Sequence, residues 1–177
     1  MGRIIGIYGS IAGIILASSF GIEHLLGANG SVFLGYLIML AALSLVFVGV
    51  KRYRDTELGG VIRFSKALLV GLGIAAVASV FYVLGWEVYL YATNYSFTES
   101  YVRETLSAAR TSGMSPEALA KMTSELNAFK VQYAKLPYRL MMGFAEIAPV
   151  GLLVALISAA LLRNPKLLPA RVGHPGG

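Results

Sequence analysis

The sequence predicts an all-α membrane protein with four transmembrane helices, both termini on the cytoplasmic side, and a two-helix amphipathic hairpin in the outer loop between helices three and four. Three observations carry this reading. Of 177 residues, 56% are apolar and 14% charged, against roughly 25% charged in globular chains, so the surplus apolar surface must face something other than water. That surface is gathered into four runs, and crossing a hydrocarbon core takes roughly 20 residues at about 1.5 Å each. Lys and Arg crowd the loop between the second and third runs and are missing from the loop between the first and second. Basic loops stay cytoplasmic, which sets the orientation.

The first run extends from Ile4 to Leu26. Arg3 precedes it, and Ala17, Ser18 and Ser19 resemble the small residues of a signal-peptide cleavage site. Because the chain keeps this segment behind Met1, it is read as a transmembrane helix. The second run, Ser31 to Val50, follows a loop from Gly27 to Ser31 that lacks basic residues. Next comes KRYRDTELGGVIRFSKA, in which Lys51, Arg52, Arg54, Arg63 and Lys66 lie beside the membrane as contacts for anionic lipid head groups. A helix start after Gly59 and Gly60 makes a phosphate-bearing lipid or ligand near Gly60, Arg63 and Lys66 the more specific alternative. The third run, Phe64 to Tyr91, is longer than a span needs and should tilt or project into the head groups. The fourth runs from Tyr138 to Leu162, so residues 1–163 form one transmembrane domain. Residues 164–177, with Pro165, Pro169 and Pro175, form a flexible cytoplasmic tail.

In the outer loop, from about Ala92 to Pro137, the basic residues are interspersed with Glu99, Glu104, Glu117 and Glu125. Two helical patterns at about 97–136 are separated by Thr111 to Met114, with Gly113 as the breaker. The second opens with Ser115 as N-cap, Pro116 at the first helical position and Glu117 in the first turn. Leu119, Met122, Leu126, Phe129, Tyr133 and Leu136 then recur at spacings of three and four, forming one apolar stripe. The stripe either packs on the first outer helix and the mouth of the bundle or forms an interaction surface for a partner or a dimer.

Small residues recur every four positions in three of the runs: Gly9, Gly13, Ala17 and Gly21 in the first, Gly71, Ala75 and Ser79 in the third, Gly151, Ala155 and Ala159 in the fourth. Lipid tails are as apolar as Leu, so helices associate through the close approach that small residues permit. These faces serve packing inside the bundle or a homodimer. Arg3, Gly13 and Ser19 also lie sixty positions before Arg63, Gly73 and Ser79, which hints at a parallel repeat about an axis along the membrane normal.

Little in the chain points to catalysis. Phosphate-loop, HExxH, GxSxG and GxGxxG motifs are missing. The absence of Cys excludes disulfides and thiolate metal sites, and two histidines, His24 and His174, cannot build a histidine-rich site. No cofactor is expected. The net charge of +6 falls beside apolar segments rather than on one basic and aromatic face, so nucleic acid is not an expected partner. What remains is a set of ionisable residues in or near the runs: Glu23, His24, Glu87 and Glu146. Such groups pair, line water or reach the interface. Glu87 follows Trp86 among Tyr82, Tyr89 and Tyr91, an aromatic belt at head-group depth. Glu23 and His24 are adjacent, hence about 100° apart around a helix, and do not easily converge on one ion. Glu146 lies roughly 13 Å along a helix past Pro137, and Pro149 three residues later frees the carbonyl of Ala145 beside it. It is either a proton or cation site or a neutral carboxyl that hydrogen-bonds another helix.

The segment VFVGVKRYRDTELGGVIRFSKALLVGLGIA resembles the signature of the DUF4199 family of bacterial membrane proteins. GMSPEALAKM, followed through a Pro by FAEIAPVGLLVALISAALLRNP, is similar to that family's C-terminal half, so the resemblance covers nearly the whole chain. It implies a bacterial inner membrane and the four-helix plan, and carries no catalytic residue to any position. The expected function is a non-enzymatic accessory or interaction subunit working with a partner membrane protein or a second copy. The alternatives are a small proton- or cation-coupled carrier or channel, in which Glu146 with Glu87, Glu23 or His24 forms an intramembrane proton or cation site, and an anionic-lipid-binding protein.

Overall fold

The computed structural model describes residues 1–25 and 32–170. The expectations placed on Leu26, on the loop Gly27 to Ser31 and on Arg171, His174 and Pro175 lie outside the described residues. Among the described residues six helices follow in order: α1 Gly2–Leu25, α2 Val32–Glu57, α3 Phe64–Ala92, α4 Ser96–Thr111, α5 Pro116–Tyr133 and α6 Leu136–Leu162. Four of them, α1, α2, α3 and α6, are long and apolar enough to cross a membrane. The chain divides into two compact units, one of Met1–Gly85 with the chain from Phe144 onward, the other Trp86–Gly143.

The first unit is built around α3, whose Val70, Ile74 and Ala78 are fully buried. Along its contact with α1, Ile5 meets Gly73, Gly9 meets Val77, Gly13 meets Phe81 and Ala17 meets Gly85. The same 68 positions separate the partners at every step, so the two helices run parallel and in register. A Cβ at Gly9 would lie 2.6 Å from Val77 Cβ, and one at Gly85 2.5 Å from Ala17 Cβ. The small residues are therefore what lets these backbones approach. On another face, Gly71 meets Ala155 and Ala75 meets Gly151, numbers rising along α3 as they fall along α6, so that pair is antiparallel. The sixty-position repeat does not survive this geometry. Rotation about the membrane normal keeps equivalent residues at one depth, whereas a 68-position register displaces them by eight residues, about 12 Å along a helix.

The basic loop is shorter than the sequence suggests, because α2 continues through Lys51–Glu57. Lys51 and Asp55 pair one turn apart, and Tyr53 and Arg54 are buried, so the helix keeps its inward face beyond the apolar run. It stops where Gly59 and Gly60 take φ of 64° and 92° and the Gly60 N–H bonds the Arg54 carbonyl at 3.0 Å, the glycine-dependent helix ending.

In the second unit, α4 and α5 pack against each other. Gly113, at φ 76°, separates them, and the Ser115 hydroxyl accepts the Ala118 N–H at 3.3 Å with Pro116 at the start of α5. The α5 stripe faces inward: Leu119, Met122, Leu126 and Phe129 are half-buried and Tyr133 is buried. Ring contacts run from Trp86 to Phe97, Tyr101, Phe129 and Tyr133, with successive centroids 4.8 to 6.2 Å apart. The hairpin thus has its own core, and α6 begins directly after it at Leu136, with Pro137 in the first turn, where a missing N–H costs nothing.

Candidate functional site

The most elaborate polar arrangement is centred on Arg139, in the second turn of α6. Its Nε and Nη2 donate to the two carboxylate oxygens of Glu87, both at 2.8 Å. Nη1 donates to the carbonyls of Tyr133 and Ala134, at 3.1 and 2.9 Å. Its guanidinium carbon lies 5.4 Å from the centre of the Tyr95 ring. The side chains are 8% and 18% exposed for Arg139 and Glu87. One guanidinium therefore joins α3, the turn into α4 and the turn out of α5. The planar fork of Arg suits this role, since a lysine could not make the paired bonds and reach both carbonyls. Beside it, Trp86 Nε1 donates to Tyr133 Oη at 2.7 Å.

A second polar contact belongs to the apolar bundle. The Tyr82 hydroxyl donates to Glu146 Oε2 at 2.9 Å. Tyr82 is buried, while the Glu146 side chain is exposed on the outer surface of α6. Glu146 lies sixteen residues before Leu162, roughly 24 Å along the helix, so the carboxyl is within span depth when measured from that end. Pro149 leaves the Ala145 carbonyl without its helical donor.

Residues 7–164 match a family described as a protein of unknown function, DUF4199. The chain belongs to the DUF4199 family. No curated protein and no solved structure matches it. The matched region of this DUF4199 chain takes in both polar arrangements and the whole hairpin.

The remaining sequence-derived residues of the DUF4199 chain fall into distinct places. Glu87 is an ion-pair partner rather than a carboxylate reaching for water. Glu23 is half-buried and His24 exposed near the end of α1. Among the described residues, no three acidic or imidazole side chains gather to hold a metal ion. In the basic loop, Arg52, Arg63 and Lys66 are exposed, as head-group contacts must be, and Lys51 is turned onto Asp55. Arg54 departs from that expectation. Its guanidinium is fully buried and donates to Asp55 and to the carbonyls of Leu162, Leu167 and Leu168, out of reach of a lipid head group. It closes the carbonyl end of α6, where a cation is favoured, and fastens the first residues of the tail. The stripe of Leu119, Met122, Leu126, Phe129 and Tyr133 is the hairpin's internal seam, so little of it is left for a partner.

Arg139 and Tyr82 are missed by the sequence reading. A signal for the first exists: Arg139 is the one basic residue in the fourth run and Glu87 the one acid in the third. Lone opposite charges in two apolar segments point to a pair.

Proposed function

We propose that this DUF4199 protein is a multi-pass protein of the bacterial inner membrane that works without catalysis, as an accessory or interaction subunit presenting its α4–α5 hairpin outside the cytoplasm to a partner membrane protein. The observation that carries this is the Arg139 clamp. A hairpin with its own core and a buried ion pair at its root is pre-organised, and pre-organisation lowers the entropy cost of binding.

The orientation is supported at the end of the bundle where the Met1 ammonium pairs with Glu57 at 2.8 Å. Asp55 and Glu57 are engaged there, while Arg3, Arg52, Arg63, Lys66, Arg163 and Lys166 are exposed. Uncompensated basic charge of this kind stays cytoplasmic and attracts anionic lipid. Gly9 and Gly13 of α1, Gly71 and Gly85 of α3 and Gly151 of α6 are already packed within the bundle, with Gly21 left open, which favours a different partner protein over a homodimer through the packed stretches.

The test is native mass spectrometry of the protein released gently from its own membranes. A second protein should be retained by the wild type and lost on reversing the exposed Arg103 and Arg110 of α4 to Glu, with hairpin folding intact by Trp86 emission. Only monomer or homodimer, whatever the variant, would sink the reading. A second reading, proton or cation passage, is favoured by the Tyr82–Glu146 bond. Flux in proteoliposomes that is unchanged in Glu146→Gln would remove that residue from it.

A further inference from the structure

A cleft of about 610 Å³ opens within the hairpin unit, walled by the Asn94–Tyr95 turn, the first turn of α4, the last turn of α5 and Arg139. Its volume falls in the range of small-molecule sites, roughly 300–1,000 Å³. The walls are fixed rather than fluid. Arg139 ties the two turns together, and the adjacent residues Asn94 and Tyr95 both hold left-handed backbone, φ 51° and 55°, a conformation that non-glycine residues keep only where their surroundings impose it.

The chemistry of the lining is distinctive in how its charges are arranged. Arg139 is closed onto Glu87, and Lys130 onto Glu99 at 2.6 Å, so each charged group on the wall already has its counter-charge. By contrast, the Asn94 amide and the hydroxyls of Tyr95, Ser96 and Thr98 make no hydrogen bond to the protein among the described residues. The Tyr95 ring has Arg139 near it and is still 47% exposed. An anion or cation entering this cleft would meet wall charges already neutralised by their partners, so neither sign is favoured. A neutral ring of hydroxyls needs only donors, acceptors and an aromatic edge, which are the groups left unused.

We infer that the cleft binds an uncharged polyhydroxylated ligand, a sugar unit. This does not depend on the partner reading, since a sugar site stands or falls on the cleft alone. The experiment uses the full chain in lipid nanodiscs, free of sugar-headed detergent. Trp86 is the chain's single tryptophan and is bonded to Tyr133 on the cleft wall, so its emission follows titration with glucose, N-acetylglucosamine and maltose. Glycine and inorganic phosphate serve as charged comparators. At least one sugar should give a saturable change. Binding should weaken about tenfold, the loss of roughly one good contact, in Asn94→Gly, which keeps the left-handed turn and removes the amide, and in Thr98→Val, which keeps the shape. No saturation by any of the three sugars up to roughly 50 mM, well above the Kd of a weak millimolar site, overturns the inference. So does equal binding by both variants, or saturation by glycine or phosphate in place of sugar.

Discussion

Replacing Arg139 with Leu removes every bond the guanidinium makes to the Glu87 carboxylate and to the Tyr133 and Ala134 carbonyls. Breaking a buried ion pair from one side costs about 3–5 kcal/mol. Glu87 keeps 18% of its side-chain surface, so the lower end, about 3 kcal/mol, applies. Amide hydrogen exchange across α4 and α5 should therefore quicken by about 100-fold, at one decade per 1.4 kcal/mol, provided these amides exchange by hairpin opening. The double variant Arg139→Leu with Glu87→Leu should recover much of that loss, because an apolar pair of similar volume is often no worse than the salt bridge. Arg139→Lys should fall between, keeping charge but losing the fork. If exchange in the single variant stays within about threefold of wild type, well under 1.4 kcal/mol, the clamp does not hold the hairpin.

Three further expectations follow from the packing and the charges. Arg54→Leu should free the start of the tail, seen as trypsin cutting after Arg163 and Lys166 at least about tenfold faster; Arg54→Lys should fail to restore protection, since the three donors of one ammonium cannot hold Asp55 and the three separated carbonyls together. Gly85→Ala, which sets a Cβ 2.7 Å from the Ala17 Cα, should destabilise the bundle by about 1–3 kcal/mol in denaturing-detergent titrations. Gly35→Ala, with open space around it, should not. The hydrogen bond from Lys130, and then its charge, hold Glu99 below the usual glutamate value. With the folded value the lower one, the pair contributes fully above the unfolded value of about 4.3 and is lost as pH falls through the folded value. Hairpin protection should thus be insensitive to this pair near neutrality and weaken below about pH 4, and an identical acid response in Glu99→Gln would contradict that.

Most of the fold was legible because lipid imposes so strong a demand: an apolar run of span length has few alternatives to a helix. The Ser115, Pro116 and Gly113 signals worked for the same local reason, each meeting a backbone requirement within a turn. Legibility failed where a side chain's role depends on a distant segment. Arg54 belongs to a basic strip by sequence, yet carbonyls more than a hundred positions away claim it. The α5 stripe shows that a face is apolar without showing whether α4 or a foreign protein covers it. At Glu87 the aromatic neighbours suggested an interface residue, and only the approach of α6 supplies the arginine that changes its meaning. Glu146 was singled out for its place in an apolar run, but its partner Tyr82 lies on another helix.

The register between α1 and α3 also bears on how the protein is made. Gly9 and Gly13 cannot meet Val77 and Phe81 until the chain has grown by 68 residues, a delay of roughly 3–14 s at ordinary elongation rates of about 5–20 residues per second. During that interval α1 has α2 as a neighbour but presents its glycine face to lipid. An insertase or chaperone that shields small-residue surfaces would find its substrate in this nascent α1–α2 pair, and a ribosome stalled before Gly73 would leave a fragment that degradation machinery could recognise by the same bare face.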